Sequence, residues 1–309
     1  MARIRLLVIV GPTAVGKSAL ALRLALRFNG SIISADSRQV YRGMDIGTAK
    51  PTPAERAAAP HALLDVVAPD EPFGLAQYQA LAQAAIAEAA AAGRLPILVG
   101  GTGQYVRAVT EGWSVPRVPP QPALRAELEA EAQRYGPDAL HRRLAAVDPE
   151  AAARIDPRNV RRVARALEVY LTTGAPISAL QRKSPPPYRL LKIGLRLERS
   201  RLYARIDARV DAMMAAGLLE EVRRLRQAGY ADDLPAMSGL GYRQLAAHLR
   251  GEIALDEAIA QIKRATRRYV HQQMMWFRET DPTIEWFESE DSAGVEARVA
   301  AWLAEDQAA

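Results

Sequence analysis

Cysteine is absent from this 309-residue sequence, histidine is rare, and no apolar run is long enough to cross a membrane. Without cysteine the chain can have no disulfide, no thiol nucleophile and no thiolate metal site. Its histidines are scattered and lack metal-ligand spacing, so a structural zinc is not expected. They are His61, His141, His248 and His271. The apolar run Leu6–Val10 is far shorter than the roughly 20 residues of a membrane helix. We therefore expect a cytoplasmic protein that does not associate with membranes.

Acidic residues are also fewer than basic ones. The chain has 35 Asp and Glu and 41 Lys and Arg, which gives a net charge of +6. A basic balance favours a polyanionic partner, and nucleic acid is the first candidate, although basic proteins without such a partner are common. The hydrophobic fraction of 49% allows a sizeable core. The length predicts two domains, or one large domain that carries an insertion.

Near the N-terminus the chain has a complete Gly-x-x-x-x-Gly-Lys-Ser phosphate-binding loop. It reads Gly11-Pro12-Thr13-Ala14-Val15-Gly16-Lys17-Ser18 and follows an apolar strand-like run. In such a loop the backbone N–H groups and the start of the next helix bind a phosphate. Lys17 would add a positive charge, and the Ser18 hydroxyl is a possible ligand for Mg²⁺. The alternative is a glycine-rich turn with a surface lysine, but the full pattern in this context predicts a diphosphate or triphosphate ligand.

Strand-like and helix-like segments alternate around this loop and predict an α/β fold with a doubly wound parallel sheet, like that of P-loop nucleotide kinases. Strands are expected at Leu6–Val10, Ser31–Ala35, Leu63–Val67, Pro96–Gly100 and Leu190–Leu197, with an edge strand at Thr283–Phe287. Helices are expected at Lys17–Phe28, Leu75–Ala92, Glu198–Gln227 and Leu255–Phe277. The phosphate-binding loop, Asp36 and Thr102 all fall at carboxyl ends of strands, so one crevice is expected to hold them.

A helical segment with proline-rich ends interrupts this alternation. Its flanks are Val115–Pro122 and Ser184–Pro187. Residues 113–189 contain 13 Lys and Arg against 8 Asp and Glu, so their net charge of +5 is most of the excess of the chain. We predict a core of residues 1–112 and 190–309, the latter with C-terminal helices, and a helical insertion between them.

Two polar residues at predicted strand ends are candidates for chemistry. Asp36 is suited to act as a general base or to position an acceptor group, although a carboxylate here can also simply cap a turn. Gln39 is a weaker candidate for a hydrogen bond to the acceptor. Thr102, in a Gly-Gly-Thr-Gly turn, could bind the acceptor or a phosphate oxygen, unless the glycines serve only the turn. The preceding strand ends at Gly100 without the acidic residue usual in ATPases, which disfavours ATP hydrolysis as the main activity.

Three groups of cations could bind phosphates. Arg158, Arg161, Arg162 and Arg165 recur at helical spacing and predict a shared face. That face could bind a nucleic-acid backbone, close over a phosphate donor like a kinase lid, or simply be solvated. Lys263, Arg264, Arg267 and Arg268 precede Tyr269, Trp276 and Phe277, a mixture that suits RNA, unless Trp276 belongs to the core. Arg205 and Arg209 could reach a phosphate in the crevice or pair with Asp207 or Asp211.

Six segments, in this order, resemble the tRNA dimethylallyltransferases, also called tRNA isopentenyltransferases. They are Gly11–Ser18, Asp36–Pro51, Val99–Tyr105, Arg165–Val169, Gly217–Val222 and Gly241–Gln244. The resemblance extends from Leu6 to about Arg278, and we expect the bacterial type because no cysteine-rich extension of the eukaryotic kind is present. It implies Mg²⁺-dependent transfer of a dimethylallyl group from dimethylallyl diphosphate to the N6-amino group of the adenosine immediately 3′ of the anticodon in tRNA.

The resemblance also implies roles for individual residues. Asp36 matches the general base, and Thr102, Lys17 and Arg209 complete the catalytic set. The diphosphate is expected on residues 11–18 and Arg205, with Mg²⁺ at Ser18. The expected contacts to the anticodon stem-loop of tRNA are Asp36, Ser37, Arg38, Gln39, Thr102, Arg125, Arg161, Arg162, Val163, Ala164, Arg165, Gly241, Tyr242, Arg243, Gln272 and Trp276. A monomer is expected.

One segment departs from the pattern of that family. The family usually has Lys-Arg-Gln-x-Thr-Trp where this chain has His271-Gln272-Gln273-Met274-Met275-Trp276, so two cations are lost or made pH-dependent. Two other functions stay open on the residues alone. One is a small-molecule or nucleotide kinase with the insertion as its lid, and the other is a non-catalytic RNA-binding protein with a relict phosphate loop.

Overall fold

The computed structural model describes residues 3–184 and 188–305. The chain divides into two compact units: Met1–Phe73, Gln77–Thr110 and Pro187–Ala309 form the first, and Gly74–Ala76 with Glu111–Pro186 form the second. The second is hereafter called the helical unit. The boundaries expected at residues 112 and 189 stay predictions. Of the expected proline-rich linker Ser184–Pro187, the three prolines lie outside the described residues.

The strands of the first unit form one six-stranded sheet in the order β3-β2-β4-β1-β5-β6, in which every pairing is parallel. They are β1 Ile4–Val10, β2 Gly30–Ser34, β3 His61–Ala62, β4 Leu95–Val99, β5 Tyr188–Arg196 and β6 Glu285–Glu288. All five residues of β2 and of β4 are buried, as expected for parallel strands that are covered on both faces. The predicted parallel α/β sheet is therefore confirmed.

The helices of the described residues alternate with these strands and then follow one another through the helical unit. In chain order they are α1 Lys17–Arg27, α2 Pro53–Ala58, α3 Leu75–Ala91, α4 Gly103–Thr110, α5 Pro122–Tyr135, α6 Pro137–Val147, α7 Pro149–Arg154, α8 Val160–Thr173, α9 Ile177–Leu180, α10 Arg199–Ala215, α11 Leu218–Gln227, α12 Tyr242–Leu249, α13 Leu255–Trp276 and α14 Ser292–Ala304. Within the described ranges no helix combines the length and apolarity needed to span a bilayer.

Two predicted elements differ from the structure, and both differences come from residues with positive φ. The strand expected at Leu63–Val67 is instead β3, because Leu63 (φ 64°) and Asp65 (φ 57°) are left-handed and cannot continue an extended strand. The single helix expected at Glu198–Gln227 is divided into α10 and α11 by Gly217, whose φ is 96°.

The sheet brings the polar residues of three loops to one edge. β1 ends at Val10 and leads into the phosphate-binding loop, β2 ends two residues before Asp36, and β4 ends one residue before Gly100. Since β2, β4 and β1 are adjacent and parallel, their carboxyl ends lie side by side. The core beneath them is apolar, and Leu7, for example, pairs in register with Ile97 of β4.

Candidate active site

The phosphate-binding loop has the backbone geometry that binding an anion requires. Gly11 (φ 138°) and Gly16 (φ 107°) adopt conformations that L side chains rarely take, and Ala14 (φ 64°) is left-handed as well. A Cβ on Gly11 would lie 2.5 Å from the carbonyl oxygen of Leu195, so β5 leaves room only for glycine. Helix α1 begins directly after Gly16. Its free N–H groups therefore face the space enclosed by the loop.

This loop lines a cavity of about 920 Å³. The lining includes Thr13, Gly16, Lys17 and Ser18 from the loop, residues 36–39 after β2, Gly100 and Gly101 after β4, and Arg205 and Arg209 of α10. The same cavity has an apolar part, to which Ile206, Val210, Met213, Leu218 and Ile262 contribute. The structure thus places an anion-binding backbone, a carboxylate and an apolar surface around one space.

Two of the cations that line the cavity, Lys17 and Arg209, have little negative charge beside them. The Lys17 amine donates to the carbonyl oxygen of Pro12 at 2.7 Å. Burial, followed by the positive charge of Arg209, lowers the pKa of Lys17 to about 7, and Asp36 acts in the opposite direction. Burial also lowers the pKa of Arg209, which has no ion pair with any described residue. Two poorly compensated cations predict that the cavity takes up an anion.

One carboxylate oxygen of Asp36 is bound within its own turn. Its Oδ1 accepts the backbone N–H of Arg38 at 2.8 Å, which is the turn-capping role that the sequence left open. Its charge also reaches Tyr269, because burial and, after it, the negative charge of Asp36 raise the pKa of that residue to about 12. The Tyr269 hydroxyl therefore stays protonated at neutral pH. Asp36 lines the cavity, with one of its oxygens bound in its own turn.

Thr102 supports this turn from the neighbouring loop. Its Oγ1 accepts the N–H of Ser37 at 3.0 Å, and its own N–H donates to the carbonyl oxygen of Ala35 at 3.2 Å. Gly100 allows this approach, since a Cβ there would lie 2.1 Å from the same carbonyl oxygen. Thr102 is not among the residues that line the cavity. The hydrogen bonds give Thr102 a supporting position beside Asp36, and its direct catalytic role stays a prediction.

A buried carboxylate that the sequence reading did not single out holds the loop beyond Asp36. Glu221 of α11 is 2% exposed and accepts the N–H groups of Asp45, Ile46 and Gly47 at 2.8–3.1 Å. It also accepts the hydroxyl of Tyr242 at 2.7 Å. Tyr242 is 1% exposed, which gives it a structural role at this carboxylate, and its expected contact with tRNA stays a prediction.

Replacing Glu221 by glutamine is expected to lower the free energy of unfolding by about 3 kcal/mol. The amide N–H₂ group of glutamine is itself a donor, so it would leave some of the buried N–H and hydroxyl donors around Glu221 without an acceptor. Chemical denaturation measures this change. The matched control is Glu220→Gln on the same helix, where the side chain is 56% exposed and pairs with Arg223. That substitution is expected to cost less than about 0.5 kcal/mol. Equal losses from both substitutions would contradict the assigned role of Glu221.

Of the two alternatives left open for Arg205 and Arg209, pairing with Asp207 or Asp211 does not occur. Asp207 pairs with Arg267, and Asp211 pairs with Lys263 at 2.6 Å, so neither holds Arg205 or Arg209. Arg205 instead pairs with Glu290 at 3.3 Å. The other two cations of the group that precedes Tyr269 have different surroundings. Arg264 pairs with Glu257, whereas Arg268 lines the cavity.

Two expected tRNA contacts of the first unit are already engaged within the protein. The Arg38 guanidinium donates to the carbonyl oxygens of Pro235 and Ala236. Trp276 is half-buried, and its ring packs against Gly103, because a Cβ on that glycine would lie only 2.2 Å from the ring Cγ. The guanidinium carbon of Arg107 lies 5.5 Å from the centroid of the same ring. Packing thus accounts for Trp276, and RNA contact by these two residues stays a prediction.

In sequence and structure the chain matches proteins that prenylate tRNA. Residues 39–280 match the family model described as IPP transferase, and residues 4–65 match that described as isopentenyl transferase. The chain belongs to the IPP transferase family. The tRNA dimethylallyltransferase of Roseiflexus sp. is 62% identical over 275 residues, which are 89% of this chain and 90% of that protein.

Solved structures of this family have the same fold. The tRNA isopentenylpyrophosphate transferase of Bacillus halodurans is 42% identical, with a TM-score of 0.73 over 99% of this chain and 98% of that one. A eukaryotic dimethylallyltransferase, described as acting on tRNA, is 26% identical, with a TM-score of 0.77 over 97% of this chain and 77% of that one. The expected resemblance and the P-loop fold are thereby confirmed.

Within the helical unit, the arginines expected to share one helix face have different environments. Arg158 precedes α8 and pairs with Asp156 at 2.7 Å, so it does not share the face. Arg161 and Arg162 are exposed. Both Arg125 and Arg165 bind the carboxylate of Glu168, whose side chain is fully buried.

Two neighbours of these arginines have a packing role. Val163 and Ala164 of α8 are buried in the core of the helical unit, together with Leu140 and Leu167. Their expected contact with tRNA stays a prediction. Arg161 and Arg162, on the exposed part of α8, are available to a polyanion.

Proposed function

We propose that this protein transfers a dimethylallyl group from dimethylallyl diphosphate to the N6-amino group of the adenosine immediately 3′ of the anticodon in tRNA, with release of diphosphate. The observation that carries the proposal is the placement of the Asp36 carboxylate in the same cavity as a phosphate-binding loop. At the end of β4 the chain has Gly100 rather than an acidic residue, which disfavours ATP hydrolysis as the main activity. Family membership and relatives that carry this activity in their names support the same reaction.

The phosphate-binding loop would hold the leaving group. As the bond between the donor carbon and its oxygen breaks, negative charge develops on the diphosphate. The N–H groups of the loop, the Lys17 amine and the Arg209 guanidinium face the space where that charge develops, and stabilising it there lowers the barrier. The apolar part of the cavity gives the dimethylallyl chain a surface away from water.

Ser18 is the residue proposed to contact Mg²⁺. It lies exposed in the first turn of α1 and lines the cavity. Within the described ranges no three His, Cys, Asp or Glu side chains form a metal-binding cluster. A single hydroxyl fits an ion that is held mainly by diphosphate oxygens and water, which is a common arrangement for Mg²⁺ at phosphates. When bound, the ion would neutralise charge on the diphosphate.

Asp36 would accept a proton from the attacking amine. An aromatic amine is a weak nucleophile, and it becomes acidic as its nitrogen bonds to the prenyl carbon. The carboxylate takes that proton while the donor oxygen leaves with the electron pair of the broken bond, so the charges balance. The adenine must leave its stack to reach the cavity, as in other enzymes that modify a base. Arg161 and Arg162 are proposed to bind tRNA phosphates.

The test is to incubate the protein with dimethylallyl diphosphate, Mg²⁺ and unmodified tRNA, and to digest the tRNA for mass spectrometry. We expect one adenosine per modified tRNA to gain the mass of a dimethylallyl group. ATP turnover on a small acceptor, with no prenyl transfer from this donor, would replace the proposal with a kinase. RNA binding that is unaffected by Asp36→Ala, without transfer, would indicate a non-catalytic protein.

Donor binding is expected to depend on pH through Lys17. Its pKa of about 7 in the free protein is low because of burial and Arg209, and a bound diphosphate raises the pKa by placing negative charge beside the amine. Above that pH the free amine is neutral and must take up a proton on binding. Affinity is therefore expected to fall by up to about tenfold per pH unit above neutrality, and this group adds no dependence below it.

Calorimetry at about pH 8 in two buffers of different ionisation enthalpy counts the protons taken up with the donor. We expect close to one proton to be assigned to Lys17. The control is Lys17→Arg, because a guanidinium stays protonated and the uptake should disappear. Identical proton counts for both proteins would contradict the assignment.

A further inference from the structure

The side chain of Gln273 on α13 joins two loops that the sheet itself leaves separate. It is 4% exposed. Its Oε1 accepts the N–H of Thr13 in the phosphate-binding loop at 2.8 Å. Its Nε2 donates to the carbonyl oxygen of Gly101, in the turn after β4, at 3.2 Å. One buried amide therefore connects the loop after β1 with the turn after β4.

The connection continues to the turn that carries Asp36. Gly101 is followed by Thr102, whose Oγ1 accepts the N–H of Ser37 at 3.0 Å. Ser37 is the residue next to Asp36 in the chain. From the phosphate-binding loop to the carboxylate there is thus a continuous path of hydrogen bonds and short stretches of backbone, and Gln273 is its first member.

Position 101 is shaped for this amide. A Cβ on Gly101 would lie 2.0 Å from Nε2 of Gln273, much closer than two atoms can approach without bonding. The nearest backbone atom, the carbonyl oxygen of Gly11, would be 3.8 Å away. A methyl group at this position would therefore displace the amide and leave the surrounding backbone in place.

We propose that Gln273 is a positioning residue for prenyl transfer, which sets the distance between the diphosphate held by the loop and the amine held by Asp36. The inference rests on the proposed function. Transfer needs the donor carbon and the amine nitrogen in near contact, and a displacement of about 1 Å can cost two orders of magnitude in rate. The two partners are held by different loops, and the Gln273 amide fixes one loop against the other.

The experiment compares Gln273→Met and Gly101→Ala with the unaltered protein in single-turnover transfer at saturating donor and tRNA. Methionine keeps the length of the side chain without its hydrogen bonds, and Gly101→Ala displaces the amide directly. Each is expected to lower the rate constant about 10- to 100-fold and to change the dissociation constant of the donor less than about threefold. The control is Gln261→Met on the same helix, where the side chain contacts Glu257 at 3.0 Å and does not line the cavity.

The double variant separates positioning from a general structural effect. Because both substitutions act on the same contacts of the Gln273 amide, the double variant is expected to be no slower than the slower single variant. Three results would overturn the inference and leave the proposed function standing. They are additive losses in the double variant, unchanged transfer in either single variant, and a loss of rate matched by an equal loss of donor affinity. If Gln273→Met does not fold, Gly101→Ala decides the question by the same criteria. Absence of transfer by the unaltered protein would overturn the proposed function and the inference with it.

Discussion

Asp36→Asn is expected to lower the single-turnover rate of prenyl transfer by about 10²- to 10⁴-fold, the range typical of losing a general base. Asparagine keeps the size of the side chain and an oxygen for the N–H of Arg38, so the turn should survive. What it loses is the ability to take the proton of the amine. Binding of donor and tRNA should therefore change little, and a rapid-quench assay with both substrates saturating measures the loss.

The control for this prediction is Asp70→Asn, the same chemical change at an exposed aspartate that does not line the cavity. It should leave the rate unchanged. A rate for Asp36→Asn within about threefold of the unaltered protein would show that Asp36 only caps its turn, the alternative that the sequence left open.

Lys17→Met is expected to lower the transfer rate by about 10²- to 10³-fold even when the donor is saturating, because the amine interacts most strongly with the charge that develops on the leaving diphosphate. The apolar chain of methionine fills similar space but offers no positive charge and no donor. Single-turnover transfer measured over a range of donor concentrations separates this loss of rate from weaker binding.

Lys192→Met on β5 is the matched control, since that lysine does not line the cavity. Its rate should equal that of the unaltered protein. If Lys17→Met raised only the donor concentration needed for saturation and left the maximal rate intact, Lys17 would bind the ground state and the transition state equally, contrary to the role assigned to it.

Much of the sheet could be predicted from the sequence, because parallel strands that are buried on both faces consist of short runs of apolar residues. The runs at Leu6–Val10 and Pro96–Gly100 correspond to β1 and β4 within a residue or two. The prediction at Leu63–Val67 was wrong because apolar residues there occupy left-handed positions, and composition does not reveal φ. Gly217 was visible in the sequence, but whether a glycine interrupts a helix depends on its surroundings.

The site was predictable where chemistry is local and unpredictable where it depends on distant contacts. The phosphate-binding loop and Asp36 follow their own strands, so their common cavity could be expected from topology. Glu221 and Gln273 act on loops more than 170 residues away in the chain, and no local pattern shows such partners.

The helical unit shows how one pattern can hide another. The spacing of the arginines on α8 suggested a basic face, but the same helix has an apolar stripe that includes Val163 and Leu167. Residues on that stripe pack inward, so consecutive residues of α8 differ in exposure. The apolar stripe separates the exposed Arg161 and Arg162 from their buried neighbours.

The central claim is that the phosphate-binding loop holds a diphosphate leaving group, so that the bond broken is carbon–oxygen and not phosphorus–oxygen. Dimethylallyl diphosphate with a heavy-oxygen label at the bridging oxygen next to carbon tests this directly, with unmodified tRNA as acceptor. All of the label is expected to leave in the released diphosphate, while the tRNA gains an unlabelled dimethylallyl group. Label retained on a prenyl product, with phosphate transferred instead, would contradict the central claim.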